Sequence, residues 1–200
     1  MTRPVNPQQP DLETQAALDQ LAEEIAAGRG ALRLAALATV AGHEPQVRSV
    51  IIRRFSQAEW TLIFFCRADD AKFGEIASNP HVELVSYARH PDRQIRLAGT
   101  AATITSVVRQ DELWAEVSAL ARRDYVLANP GETDARDHPA TSGDGAAKEA
   151  AQRQADRETD AIISATRAPL FRAIEVSIRR VKLLTFEQDR WVQHGYLPHL

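Results

Sequence analysis

Five short apolar segments crowd into the 74 residues between Leu32 and Thr105, and they constrain the fold more than any other feature. They are Leu32–Val40, Val47–Phe55, Trp60–Cys66, Val82–Ala88 and Gln94–Thr105. Their length and their β-branched and aromatic content read as strands, with Ala41-Gly42 as one of the turns between them. Most of the gaps are too short for a parallel crossover, so antiparallel pairing dominates. Phe171–Ile178, Val181–Phe186 and a short piece around Trp191 bring the count to six or seven strands. A small closed or partly closed barrel disposes of that many edges economically. Gly99, inside the long fifth segment, marks a bulge or bend.

Helical spacing appears in three places. Asp11 is placed to cap a helix from Leu12 to about Ala27, with Leu18, Leu21 and Ile25 on one face and Gly28 to end it. Asp69–Asn79 reads as a short helix with Phe73 and Ile76 inward, and Gln110–Arg123 as another with Leu113, Val117 and Leu120 on a stripe. From Ala128 to Ala161 there is no large apolar side chain, and eight acidic against four basic residues account for more than the whole net charge of -3. That run is expected to be a disordered loop, because it has too little apolar surface to offset the entropy of ordering it. With Met1–Asp11 set aside as a polar tail, the remaining 155 residues suit one folded domain.

Composition also excludes several classes of function. Without the acidic run the chain is close to neutral, so no basic field argues for nucleic acid. Cys66 is the only cysteine, which excludes an internal disulfide or a multi-cysteine zinc site, and the six histidines show no metal-ligand spacing. His194 and His199 read as exposed residues of a tail. No apolar stretch approaches the roughly 20 residues of a membrane helix, and the first residues lack the apolar core of a signal peptide. A cytoplasmic protein is expected.

The chemistry-bearing residues are cationic. Arg48, Arg53 and Arg54 share one apolar strand, with no acidic residue between Pro45 and Ser56. Guanidinium groups there need anionic partners, either distant carboxylates or a ligand. Alternation puts Arg48 and Arg53 on opposite faces unless a bulge intervenes. Arg96 adds a further guanidinium beside Gln94. Lys72 falls in the first turn of the short helix, where backbone N–H groups and an ammonium together suit a phosphate. Cys66 reads as a small buried hydrophobe rather than a nucleophile, and no motif for a catalytic side chain is present.

The ordered series Arg48-Ser-Val-Ile-Ile-Arg53, Leu62-Ile-Phe-Phe-Cys66, Lys72, Asn79-Pro80-His-Val82, Arg93-Gln94-Ile-Arg96 and Gly99, with Trp191 and Leu197-Pro198 near the C-terminus, resembles the pyridoxamine 5'-phosphate oxidase family of FMN-binding split barrels. The resemblance implies an antiparallel split β-barrel with flanking helices, assembled as a homodimer with FMN at the interface. It implies that Arg48 and Lys72 grip the FMN phosphate. Ser49, Val50 and Ile51 would run alongside the flavin, Phe65 and Cys66 would touch it, and Gln94 would hydrogen-bond its ring. Arg53 stands where the family usually has a lysine that meets the substrate phosphate, and Ser118 and Arg122 are the further substrate candidates.

The same resemblance implies an oxidoreductase that moves hydride from a small molecule to FMN. Departures from the family pattern touch both the phosphate grip and the substrate side. Ala71-Lys72 replaces the family's Arg-Lys pair, and no Arg-Leu-His segment precedes Trp191. Two alternatives therefore stand beside the first reading: a non-catalytic FMN-binding or redox-sensing module, and a genuine pyridoxamine or pyridoxine 5'-phosphate oxidase.

Overall fold

In the computed structural model the described residues are 10–126, 168–187 and 189–198. The tail Met1–Gln9, the run Ala128–Ala161 and His199 lie outside them. The chain forms two compact units, Met1–Thr105 with Arg172–Leu200, and Ser106–Phe171.

The first unit begins with α1 (Leu12–Ala26), whose N-cap is Asp11: its Oδ1 accepts the Thr14 N–H at 2.8 Å. Leu18 and Leu21 are fully buried, and Gly28 ends the helix region at a φ of +67°, which costs glycine nothing. Seven strands follow: β1 (Leu34–Ala41), β2 (Glu44–Ser56), β3 (Thr61–Arg67), β4 (His81–Arg89), β5 (Asp92–Thr103), β6 (Phe171–Glu187) and β7 (Arg190–Tyr196). The helix α2 (Ala71–Ser78) connects β3 to β4. The sheet order is β3-β2-β1-β4-β5-β6-β7, and each neighbouring pair along it is antiparallel. β3 also pairs with β6, which brings the sheet round on itself, and Ile178 N donates to Trp60 O at 2.7 Å in that region. The mainly β, antiparallel split barrel expected from the sequence is thus the fold.

Alternation sorts side chains to the two faces. On β2, Val50 and Ile52 are buried while Val47, Ser49 and Ile51 are exposed. On β1, Ala35, Leu37 and Thr39 are buried. Leu37, Ile52, Phe64, Leu84, Ile95 and Ile178 meet inside the barrel, and each such side chain contributes about 1.5–3 kcal/mol by leaving water.

Two bulges break the ladder. The β2–β3 register slips between Ile52 and Arg54, leaving Arg53 as the extra residue. Arg53 is carried by the bulge itself, so its direction is set by the bulge and not by alternation from Arg48. On the β5–β6 ladder, Ala98 faces Arg180 and Gly99 faces Ile178, so Arg179 is extra. Gly99 is required there because a Cβ would overlap the Ser177 carbonyl oxygen. The bulge absorbs what the sequence suggested was a break, and the two expected segments Phe171–Ile178 and Val181–Phe186 are one strand.

The second unit contains α3 (Val107–Ala115) and α4 (Ala119–Val126). The single helix expected over Gln110–Arg123 is divided. Ser118 Oγ accepts the Ala121 N–H at 3.3 Å, starting a new helix where the sequence pattern alone shows continuity. Trp114, Tyr125 and Phe171 form an aromatic cluster with ring centroids 5.1–5.9 Å apart.

Candidate functional site

Arg48 projects from the buried side of β2 beside the buried Thr39 of β1. Its guanidinium donates to Thr39 Oγ1 and, at 2.5 Å, to Glu75 Oε2 of α2. Thr39 Oγ1 donates to the same carboxylate oxygen at 2.5 Å. The pair is well sheltered, with side chains 23% and 10% exposed for Arg48 and Glu75. Partial burial pushes the Glu75 carboxyl up. The Thr39 and Arg48 hydrogen bonds and the charges of Arg48 and Lys72 outweigh that and hold it below the usual glutamate value. Of the two expected phosphate ligands, Arg48 bonds this carboxylate directly and Lys72 acts on it only through its charge.

Lys72 lies one helical turn before Glu75 and is ion-paired to Asp70. Asp70 is the N-cap residue of α2, although its side chain makes no capping bond. Cys66, at the end of β3, is 3% exposed and belongs to the core. Its thiol is pushed up to about 12, mainly by burial, although the positive charges of Lys72 and Arg172 oppose this. Its side chain is the buried small hydrophobe that the sequence suggested. Val50 is likewise in the core, so neither side chain faces solvent.

The cations read as unpaired along the sequence have carboxylate partners, for Arg48 and Arg96 from other segments. Glu75 serves Arg48 from 27 residues away, Asp70 serves Lys72, and Glu83 accepts from Arg96 Nε at 2.6 Å. The absence of acids near Arg48 in sequence was no guide, because antiparallel folding brings α2 against β1. Arg53 lies over the Phe65 ring, 5.6 Å from its centroid. Ser49 and Ile51 stand on the outer face of β2. Gln94 is half-buried on β5, opposite Tyr87 of β4 and Leu184 of β6.

Ser118 and Arg122 belong to the second unit. Arg122 donates to the carbonyls of Trp114 and Ala115 at 3.1 and 3.3 Å and lies 5.0 Å over the Trp114 ring. It thereby satisfies carbonyls at the C-terminal end of α3. Thr39 and Glu75 escaped the sequence reading. A threonine at an inward position of an otherwise apolar strand, and a glutamate one turn after Lys72, were the available signals. His194 is a correction: instead of an exposed tail residue it is 1% exposed, with Nδ1 donating to Asp11 Oδ2 at 2.6 Å and Nε2 3.1 Å from Thr185 Oγ1. Among the described residues no cluster of three or more metal-ligating side chains occurs, and no helix is long and apolar enough to cross a membrane.

Residues 15–105 match the family model of the pyridoxamine 5'-phosphate oxidase FMN-binding domain. No curated protein matches the chain. Among solved structures, a pyridoxamine 5'-phosphate oxidase-related, FMN binding protein from Nostoc punctiforme is 20% identical, with a TM-score of 0.62 and coverage of 92% of this chain and 96% of that one. PhzG from Burkholderia lata, solved with tetrahydrophenazine-1-carboxylic acid, is 18% identical, with a TM-score of 0.64 and coverage of 98% and 99%. At these identities the structural likeness is one of fold. Arg48, Ser49, Val50, Ile51, Phe65, Cys66, Lys72 and Gln94 all fall inside the matched segment, as does Arg53, whereas Ser118 and Arg122 fall outside it. Over residues 15–105 the chain is similar to the FMN-binding domain of the pyridoxamine 5'-phosphate oxidase family, a domain whose cofactor is FMN.

Proposed function

We propose that the protein is an FMN-dependent oxidoreductase of the cytoplasm, acting as a homodimer on a small molecule that need not be pyridoxamine 5'-phosphate. The observation that carries the site assignment is the placing of Arg48, bonded to Thr39 and Glu75, at the junction of β1, β2 and α2, with Lys72 one helical turn before Glu75.

The donor set fits a phosphate ester. Arg48 has five N–H donors and Lys72 has three, so their bonds to Thr39, Glu75 and Asp70 leave donors over for phosphate oxygens. A phosphate bearing nearly two negative charges competes well against a single carboxylate for these groups. Ser49 and Ile51, exposed on β2, and Phe65 on β3 supply the mixed polar and apolar strip against which a flavin ring would lie, and Gln94 supplies an amide for its polar edge. Bound FMN supplies the hydride-accepting chemistry, and the chain supplies binding, orientation and electrostatics. Arg53, held over Phe65, is a candidate for a substrate anion, and Ser118 and Arg122 are candidates of the second unit. Leu34 of β1, Ile51 of β2 and Tyr87 of β4 are exposed large apolar residues toward the Leu34 end of the sheet's outer face, which supports burial of that end against a second copy.

Purified protein is expected to show a flavin absorption spectrum and to quench the fluorescence of added FMN. A colourless protein that leaves FMN fluorescence unchanged would remove the reading. A second reading, a non-catalytic FMN-binding or redox-sensing module, is favoured by Arg122, whose Nη2 is engaged by two carbonyls at the end of α3. Oxygen uptake with pyridoxamine or pyridoxine 5'-phosphate would identify a genuine oxidase. Bound FMN that no reductant or substrate reduces at an enzymatic rate would favour the module.

A further inference from the structure

The outer face of the sheet contains a groove of about 430 Å³ that includes none of the residues assigned to FMN. Its shape follows from one cross-strand row. Ala38 of β1 faces Glu83 of β4, Glu83 faces Ala98 of β5, and Ala98 faces Arg180 of β6. Small side chains at Ala38 and Ala98 leave a depression in the sheet, and Val40 and Pro45 line it further. The volume is within the range of roughly 300–1,000 Å³ usual for small-molecule sites.

The charge at its rim follows from the β6 bulge. In a regular strand Arg179 and Arg180 would point to opposite faces, but with Arg179 as the extra residue both line the groove. Glu83 is the one carboxylate there. It accepts from Arg96 at 2.6 Å and stands 3.8 Å from Arg180. Two guanidinium groups therefore flank one carboxylate, and Arg179, which also lines the groove, has no ion-pair partner among the described residues.

We propose that this groove binds a small organic anion, its carboxylate or phosphate held by Arg179 and Arg180 and its apolar body resting on Ala38, Val40, Pro45 and Ala98. A guanidinium fork suits the planar or tetrahedral oxyanion, and the small-residue floor selects against an anion with no apolar body. Thr39 lines the groove and also meets Arg48, whereas Arg179 and Arg180 take no part in the Arg48–Glu75 cluster, so the arginine end of the groove is separable from the flavin.

The test uses FMN-saturated protein, calorimetric titration and three probes: phenyl phosphate, benzyl alcohol and inorganic phosphate. Phenyl phosphate is expected to bind at least about tenfold more tightly than either of the others. Arg179→Gln should weaken it by about tenfold, the loss of one charge-assisted contact. Ala98→Trp, which fills the depression, should abolish it, with circular dichroism confirming the fold and FMN affinity unchanged in both variants. Equal binding of phenyl phosphate by Arg179→Gln and the parent would overturn the proposal, as would equal binding of inorganic phosphate. A parallel loss of FMN affinity in Arg179→Gln would assign the groove to the flavin site instead. No phenyl phosphate binding, combined with loss of self-association in Ala98→Trp, would assign it to the contact between copies.

Discussion

Glu75→Gln separates the two roles of the Arg48–Glu75 pair, stability and competition with phosphate. The amide keeps the shape of the side chain and one acceptor oxygen but removes the charge. Glu75 Oε2 accepts from both Thr39 and Arg48 at 2.5 Å, and neither charged side chain is more than a quarter exposed, so solvent screening is modest. Replacing one charge-assisted and one hydroxyl hydrogen bond to a carboxylate by bonds to a neutral amide should cost about 1–2 kcal/mol of stability at pH 7. The pH dependence has a defined sign. Glu75 is held below its ordinary value in the folded protein, so its contribution is present above the usual glutamate range and fades as pH falls through the folded value. Urea denaturation at pH 7 and near pH 4 should therefore show a penalty that shrinks in acid. FMN affinity should move the other way, rising about tenfold at pH 7 as the competing carboxylate is neutralised, or about 1.4 kcal/mol. Flavin fluorescence titration reads this directly. Weaker FMN binding in Glu75→Gln would refute the competition and make Glu75 a positioning residue for Arg48, and a penalty independent of pH would refute the assigned electrostatics.

Four other outcomes are expected. Arg48→Ala and Lys72→Ala should each weaken FMN binding by about 1–3 kcal/mol in the same titration, through loss of a hydrogen bond to a charged group. Gly99→Ala should lower the thermal midpoint by an amount corresponding to at least about 1–3 kcal/mol, because the obstruction is the Ser177 main chain, which cannot rotate away. His194→Ala should cost about 2–4 kcal/mol in urea denaturation, from a buried cavity and two lost polar contacts. Cys66 should resist alkylation at pH 8 in the native protein and react at once in denaturant, since its buried thiol is pushed up to about 12.

What was legible in the sequence was what local pattern controls. The alternation in Val47–Phe55 and the apolar run Trp60–Cys66 predict β2 and β3 to within a few residues, and Asp11 is the cap that its position suggests. The split of Gln110–Arg123 into two helices depends on one side-chain bond from Ser118, a competition with helix continuity that periodicity does not register. The continuity of β6 depends on a bulge opposite Gly99, visible as a glycine but not as the extra residue Arg179. For the site, the cations were legible and their partners were not. Glu75 and Thr39 reach Arg48 through pairings of distant segments, and no spacing rule along the chain encodes those.

The Asp11–His194 contact joins residues 183 apart in sequence. One carboxylate caps the first described helix through Oδ1 and receives the last strand through Oδ2, so the start of α1 is completed only when β7 is in place. Loop closure over that span is among the most entropically demanding events in the chain and rewards itself late. The helix cap is therefore a reporter of final closure: amide exchange at Thr14 should slow together with that of β7 during refolding, rather than with the rest of α1.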